Sequence, residues 1–228
     1  MEKIKLLFVE DDSSFAFVVK GCLELTGDYE ILTASSGREG FERFNSTPPD
    51  IIVSDIEMED MDGMEMVSLI RRKNQEIPIL FATGRTSAQD VLKGYELNVD
   101  NFIKKPYLPD ELNAHIKAIL KRIQKRSSPS PNTEISIGKY SFDTDTHLLT
   151  KGESRKLTQR ESSILLKLYD RKGTIVKREE ILEEFWGRND FFTSRSLDVF
   201  INSLRKYLSG DDSIEIQTIR GEGLMLVL

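Results

Sequence analysis

The stretch IKLLFVEDD, Ile4 to Asp12, decides the fold. A mostly apolar run of strand length goes straight into three acids, Glu10, Asp11 and Asp12. Such a run reads as a buried strand, and a buried strand that ends in three carboxylates needs a reason. The next segment, SSFAFVVKGCLEL, places Phe15, Val18, Val19, Cys22 and Leu23 on one helical face. Asp12 or Ser13 can cap its start. The strand-then-helix grammar returns with YEILTA, DIIVSD, IPILFA and NFIKKP. A last helical pattern follows, carried by Leu112, Ile116, Ile119, Leu120 and Ile123. Five such units over residues 1–124 predict an α/β domain: a five-stranded parallel, doubly wound sheet with helices on both faces.

Residues 125–133 include RSSPSPNT, a Ser/Pro-rich stretch without apolar period, and read as a linker. The grammar then changes. EISIG, YSFD and HLLT are strand-like, helical segments follow, and IEIQTI and LMLVL form a hairpin around RGEG. Residues 134–228 therefore predict a separate α+β domain. Gly173 after LLKLYDRK is placed as the C′ glycine that ends a helix. VKREEILEEFWG is a helix with Ile181, Leu182, Phe185 and Trp186 on its apolar side. RSLDVFINSLRKYLS is another, with Leu197, Ile201, Leu204 and Leu208 as its buried line and Phe200 beside it. Its opposite line carries Arg195, Val199, Asn202 and Lys206, flanked by Asp198 and Ser203. Arg and Lys reach phosphates or guanine, Asn pairs with adenine, and Val meets a thymine methyl, so this face suits a major groove.

Composition narrows the classes. The formal charge is −6, so bulk charge does not make this a basic nucleic-acid binder. A single cysteine, Cys22, excludes an internal disulfide framework. With two histidines far apart, His115 and His147, a zinc site or a Cys/His nucleophile has little to build on. No apolar run approaches the ~20 residues that span a bilayer, and the first residues lack a signal-like apolar core. The expectation is a cytoplasmic protein with no membrane partner. There is no phosphate-binding G-x-x-x-x-G-K-[ST] loop either.

The acids find their reason at the strand ends. In open parallel sheets, ligands bind outside the carboxyl ends of the strands. Glu10 and Asp11 follow the first strand, Asp55 the third, Thr83 ends the fourth, and Lys105 follows the fifth. Three crowded carboxylates repel one another unless a cation sits among them. Hard oxygen ligands suit Mg²⁺, and Lys105 supplies positive charge for a phosphoryl oxygen.

VEDD, SDIEMEDMDG, FATGR and IKKPY, in this order and spacing, resemble the receiver domain of two-component response regulators. Residues 134–228 resemble the winged-helix effector of the OmpR/PhoB subfamily. The first resemblance implies Asp55 as the residue phosphorylated by a sensor histidine kinase. It implies Mg²⁺ held by Glu10, Asp11, Asp55 and the backbone carbonyl of Glu57. Lys105 and Thr83 would contact the phosphoryl group, and Phe102 would be the aromatic that turns inward as Thr83 moves. The second implies promoter DNA as partner, contacted by Arg195, Ser196, Val199, Asn202, Ser203, Arg205 and Lys206. In the terminal hairpin, or wing, Thr218 would meet backbone phosphate and Arg220 the minor groove. A homodimer formed on activation or on DNA, and RNA polymerase as a further partner, complete what the resemblance implies. The protein would be no enzyme beyond handling its own phosphoryl group.

Departures from the family pattern carry expectations of their own. Glu59 stands where Pro is usual, Gly84 where Ala is usual, and Leu108 where a capping Ser or Thr is usual. On the surface that builds the family's active dimer, Asp100 and Glu111 remain. Val91, Asn101 and His115 replace charged residues there, with Lys93 and Lys117 as displaced substitutes. This predicts a weak or more apolar dimer with Val91 at its contact. Asn202, Ser203, Leu224 and Met225 also depart, so the DNA sequence read is the chain's own. Glu57 and Arg85 should rim the pocket, either as a charged lid over the phosphoryl group or as two independent solvated side chains. Two rivals stand beside this reading. A dehalogenase-type phosphatase needs a second Asp where Glu57 stands. A regulator that binds DNA without phosphorylation would not need the complete receiver set.

Overall fold

The computed structural model describes residues 3–84, 88–126, 134–187 and 191–228. It separates into two compact units, Met1–Lys125 and Arg126–Leu228. No helix among the described residues is long and apolar enough to cross a membrane.

The first unit alternates strictly. It runs β1 (Ile4–Val9), α1 (Ser13–Glu24), β2 (Tyr29–Ala34), α2 (Gly37–Ser46), β3 (Ile51–Ser54), α3 (Gly63–Lys73), β4 (Ile79–Thr83), α4 (Ala88–Glu96), β5 (Asn101–Lys104) and α5 (Pro109–Arg126). The sheet order is β2-β1-β3-β4-β5, and every pair is parallel. The central strands are buried on both faces, as parallel strands covered by helices must be. One face packs Leu6, Phe8, Val53, Leu80 and Ile103 against Ala16, Val19 and Leu23 of α1 and Leu112, Ile116 and Ile119 of α5. On the other face Val9 meets α2 at Gly40, where a Cβ would lie 3.0 Å from a Val9 methyl and 2.6 Å from Met66 Sδ.

Two expectations need correcting here. The buried stripe of α1 is Ala16, Val19 and Leu23, with Phe15 half-buried, whereas Val18 and Cys22 are exposed. The segment holds more apolar residues than positions facing the sheet, so periodicity alone did not fix the helix's phase. The fifth helix also runs through Arg126, past the expected start of the linker at 125. Residues 127–133 lie outside the described residues.

The second unit begins with an antiparallel meander, β6 (Glu134–Ile137), β7 (Tyr140–Asp143), β8 (Leu148–Lys151) and β9 (Glu153–Lys156). Three helices follow: α6 (Gln159–Asp170), α7 (Arg178–Trp186) and α8 (Phe191–Leu208). A second sheet joins β10 (Val176–Lys177), β11 (Glu215–Ile219) and β12 (Gly223–Val227) in the order β10-β12-β11. α6 starts with a reciprocal cap: Thr158 Oγ1 accepts from Glu161 N–H, and Glu161 Oε2 accepts from Thr158 N–H at 2.8 Å. Gly173 lies one residue beyond its predicted place, since the helix cap is Arg171. At φ +73° its N–H turns back to Leu226 O. The left-handed helix cap is instead Gly187, after α7.

Candidate functional site

Strand order places the pocket. β1 has β2 on one side and β3 on the other, so the connections diverge there and leave a crevice beyond the strand ends. Backbone bonds then set each functional residue just past its strand. Glu10 N–H reaches Ala34 O, Asp55 N–H reaches Val9 O, and Lys105 N–H reaches Thr83 O, at 2.9, 2.9 and 3.0 Å.

Glu10 and Asp55 are buried and Asp11 is exposed; oxygens of all three lie within 4.8 Å of one another. Lys105 Nζ donates to Asp55 Oδ2 at 2.5 Å and to Glu10 Oε1 at 2.7 Å. Asp55 Oδ1 accepts from the backbone N–H of Ile56 at 2.5 Å and of Glu57 at 3.2 Å. Gly63 closes the loop beneath, where a Cβ would come within 2.0 Å of Asp55 O. The adjoining Asp12 caps α1 by accepting from Ser14 and Phe15 N–H, which leaves it outside the acid cluster.

Burial pushes the Glu10 carboxyl upward, and the charge of Asp55 adds to this while Lys105 opposes it. For Lys105 burial is the largest single influence and acts downward. The bonds to Asp55 and Glu10 together outweigh it, and the ammonium ends above its ordinary value. Three acids against one ammonium leave the cluster short of positive charge. Glu10 Oε2 is buried in contact with the ammonium, at 2.6 Å, yet accepts no hydrogen bond. Three clustered carboxylates are a hard oxygen donor set that fits a divalent cation.

Thr83 is fully buried at the end of β4. The Phe102 ring is turned inward, with ring centres 5.4 Å from Phe81 and 5.0 Å from Tyr95. Gly94 of α4 makes room, since a Cβ there would stand 2.4 Å from Phe102 Cζ. The expected Glu57–Arg85 lid cannot be placed, because Arg85 lies outside the described residues.

The surface formed by α4, β5 and α5 differs from expectation. Val91 is 1% exposed and packs into its own domain, so it is no dimer contact. Asn101 is buried too. Its Oδ1 accepts from Phe102 N–H at 2.9 Å, so its Nδ2 is the donor towards His115 Nδ1 at 3.1 Å. Lys117 is ion-paired with Asp28 at 2.8 Å, which removes it as a substitute on that surface.

In the second unit α8 buries Leu197, Phe200, Ile201, Leu204 and Leu208. Arg195, Asn202 and Lys206 are exposed, and Val199 and Ser203 half-exposed. Two predicted contacts are not on offer to DNA. Ser196 is fully buried, four residues before the buried Phe200 and so on the same side of the helix. Arg205 is spent inside the domain. Its Nε and Nη2 donate to Ile216 O at 2.8 and 2.6 Å, and Nη2 also donates to Thr218 Oγ1 at 2.8 Å. The guanidinium thus ties α8 to β11 rather than reaching outward. Thr218 and Arg220 are exposed on the hairpin, whose turn uses Gly221 at φ +78°. Sequence reasoning did not single out Arg178, which donates to Asp198 Oδ1 at 2.8 Å and to Ser194 O, so the acid beside the basic line is engaged. The charge sequence alone, a basic residue opening one helix and an acid on the next, was the available signal.

Comparison with known proteins agrees with this geometry. Residues 6–117 match the response regulator receiver domain, and residues 152–226 match the C-terminal domain of transcriptional regulatory proteins. The chain is 36% identical over 227 residues to the transcriptional regulatory protein RprY of Bacteroides fragilis, covering 99% of this chain and 95% of that one. It is 34% identical to the alkaline phosphatase synthesis transcriptional regulatory protein PhoP of Bacillus subtilis, over 97% and 96% of the two chains. The crystal structure of the response regulator DrrB of Thermotoga maritima, an OmpR/PhoB homologue, aligns over 100% of both chains at 27% identity and a TM-score of 0.50. This chain belongs to the OmpR/PhoB-type response regulators: a receiver domain with a C-terminal DNA-binding winged-helix domain.

Proposed function

We propose that this response regulator is switched by phosphorylation of Asp55 and that the switch governs its binding to promoter DNA. The observation that carries the reading is the convergence of Glu10, Asp11, Asp55 and Lys105 in one crevice, with the Asp55 carboxylate held by Lys105 Nζ and two backbone N–H groups. In the reaction, an Asp55 oxygen attacks phosphorus, and the bond from phosphorus to a histidine nitrogen of the sensor kinase breaks. The imidazole leaves with the bonding electron pair. Lys105 balances charge on the acyl phosphate, and Thr83 offers its hydroxyl to a phosphoryl oxygen. Glu10, Asp11, Asp55 and the Glu57 carbonyl would hold Mg²⁺, which supplies charge neutralisation between carboxylates and phosphoryl group.

On the DNA side, Arg195, Asn202 and Lys206, with Val199 and Ser203, form the major-groove face, and Thr218 and Arg220 serve the wing. Pairing of two copies on adjacent half-sites would raise the affinity of a chain with negative formal charge. The cytoplasm is the compartment in which such a regulator meets its kinase and promoter. The test is anisotropy of a fluorescent promoter fragment with and without acetyl phosphate and Mg²⁺. Affinity is expected to rise at least ~10-fold on phosphorylation and to stay unchanged in Asp55→Asn. Equal affinity in the wild type with and without phosphate would reject the switch.

One observation favours a second reading, DNA binding without phosphorylation. Asn101 and His115 bond to each other within the receiver, where the family's dimer uses charged residues across the two copies. Full affinity of the unphosphorylated chain would select it.

A further inference from the structure

The loop from Ile56 to Asp62 joins the Asp55 strand to α3 and carries the Glu57 carbonyl. Its ends are fixed by the backbone: Asp55 N–H to Val9 O at 2.9 Å and Gly63 N–H to Ile56 O at 3.0 Å. Asp62 then caps α3 by accepting from Glu65 N–H at 2.8 Å. The middle makes its own tight backbone turn around Asp60, with Met61 N–H donating to Glu59 O at 3.0 Å. Asp60 has φ +69°, the left-handed region that disfavours a residue with a Cβ. Glu59 precedes it, so no proline stiffens the turn.

From outside the loop, α2 reaches across as well. Arg38, in its first turn, donates from Nε to Asp60 Oδ2 at 2.7 Å and from Nη2 to Oδ1 at 3.2 Å. Beside it Gly37 N–H donates to Met61 O at 3.1 Å. A Cβ at Gly37 would lie 2.5 Å from that oxygen, so α2 sits directly on the loop. A guanidinium gripping both oxygens of one carboxylate fixes direction as well as distance, which an ammonium cannot do.

We propose that Arg38 is a positioning residue for the Asp55 site: its fork holds Asp60 left-handed and so sets the loop that presents the Glu57 carbonyl. This rests on the receiver chemistry proposed above. The pair is exposed, with side-chain exposures of 60% and 54%, so its effect on global stability is small. Its effect falls on loop geometry.

The test uses the full chain as wild type, Arg38→Ala, Arg38→Lys, Asp60→Gly and the Arg38→Ala/Asp60→Gly double variant. Amide hydrogen exchange over residues 56–61, without added metal, reads the loop. Calorimetric Mg²⁺ affinity reads the site. Arg38→Ala is expected to speed loop exchange ~10-fold and to weaken Mg²⁺ binding ~3–10-fold, with no change in the urea midpoint. Arg38→Lys should lie close to Arg38→Ala. Glycine adopts the left-handed turn without strain, so Asp60→Gly and the double variant should match each other in both readouts. Wild-type exchange in Arg38→Ala, or a double variant that differs from Asp60→Gly, overturns the proposal. Absence of Mg²⁺ binding in the wild type would overturn the receiver chemistry instead, and the exchange data distinguish the two failures because they need no metal.

Discussion

At the scale of single residues, the pocket was legible because each of its members sits at the end of a strand or just beyond it. Glu10, Asp55, Thr83 and Lys105 needed only strand ends and parallel order to be brought together. Val91 was not legible in that way. Judged by position, it looked like a surface substitution at a dimer contact, yet it is 1% exposed. Val91→Glu therefore does not test dimerisation. It places a carboxylate in an apolar site, and urea unfolding should show the receiver destabilised by about 3 kcal/mol or more. Unchanged stability would mean that the side chain reaches solvent. Ser196 and Arg205 show the same limit in the effector. Which side of a helix is inward could be read from the leucines, but a side chain bonded to a strand from a later segment could not.

Among elements, Arg205 ties α8 to β11 of the terminal hairpin. Lys206 points outward and Arg205 does not, so their alanine variants should differ in kind. Lys206→Ala should weaken DNA binding across sequences and lower the slope of log affinity against log salt by about 1. Arg205→Ala should weaken binding with the slope preserved, because it frees the hairpin rather than a phosphate contact. Equal slope changes would return Arg205 to the DNA interface. The missed elements were those without a pattern. β9 is Glu-Ser-Arg-Lys with every residue exposed, and β10 has two residues. Their strand state comes from pairing with β8 and β12, which local composition does not encode. Arg71 is similar. It reads as one of the basic residues ending α3, yet it is buried and donates to the carbonyls of Ile77, Leu97 and Asn98, tying α3 to the end of α4.

At the scale of the whole molecule, the second unit answers to pH through one carboxylate. Asp211 fastens the β6–β7 turn to the end of α8. Its Oδ2 accepts from Lys139 N–H at 2.7 Å and its Oδ1 from Ser213 Oγ at 2.9 Å. The Lys139 N–H bond is the largest reason its carboxyl falls to about 2. A carboxyl held below its unfolded value of about 3.9 stabilises the fold fully above that value, and the contribution is lost as pH falls from about 4 towards about 2. The effector should therefore lose stability in that window, and Asp211→Asn should flatten the loss. An acid transition of unchanged size in the variant would assign it to other carboxylates.

The two units are joined in function by the claim that Asp55 carries the signal. Intact-mass spectrometry after incubation with acetyl phosphate and Mg²⁺ tests this most directly. The expected result is a single phosphoryl adduct on the wild type, lost on incubation at high pH, and none on Asp55→Asn. An unmodified wild type, or an adduct that persists in Asp55→Asn, would contradict it.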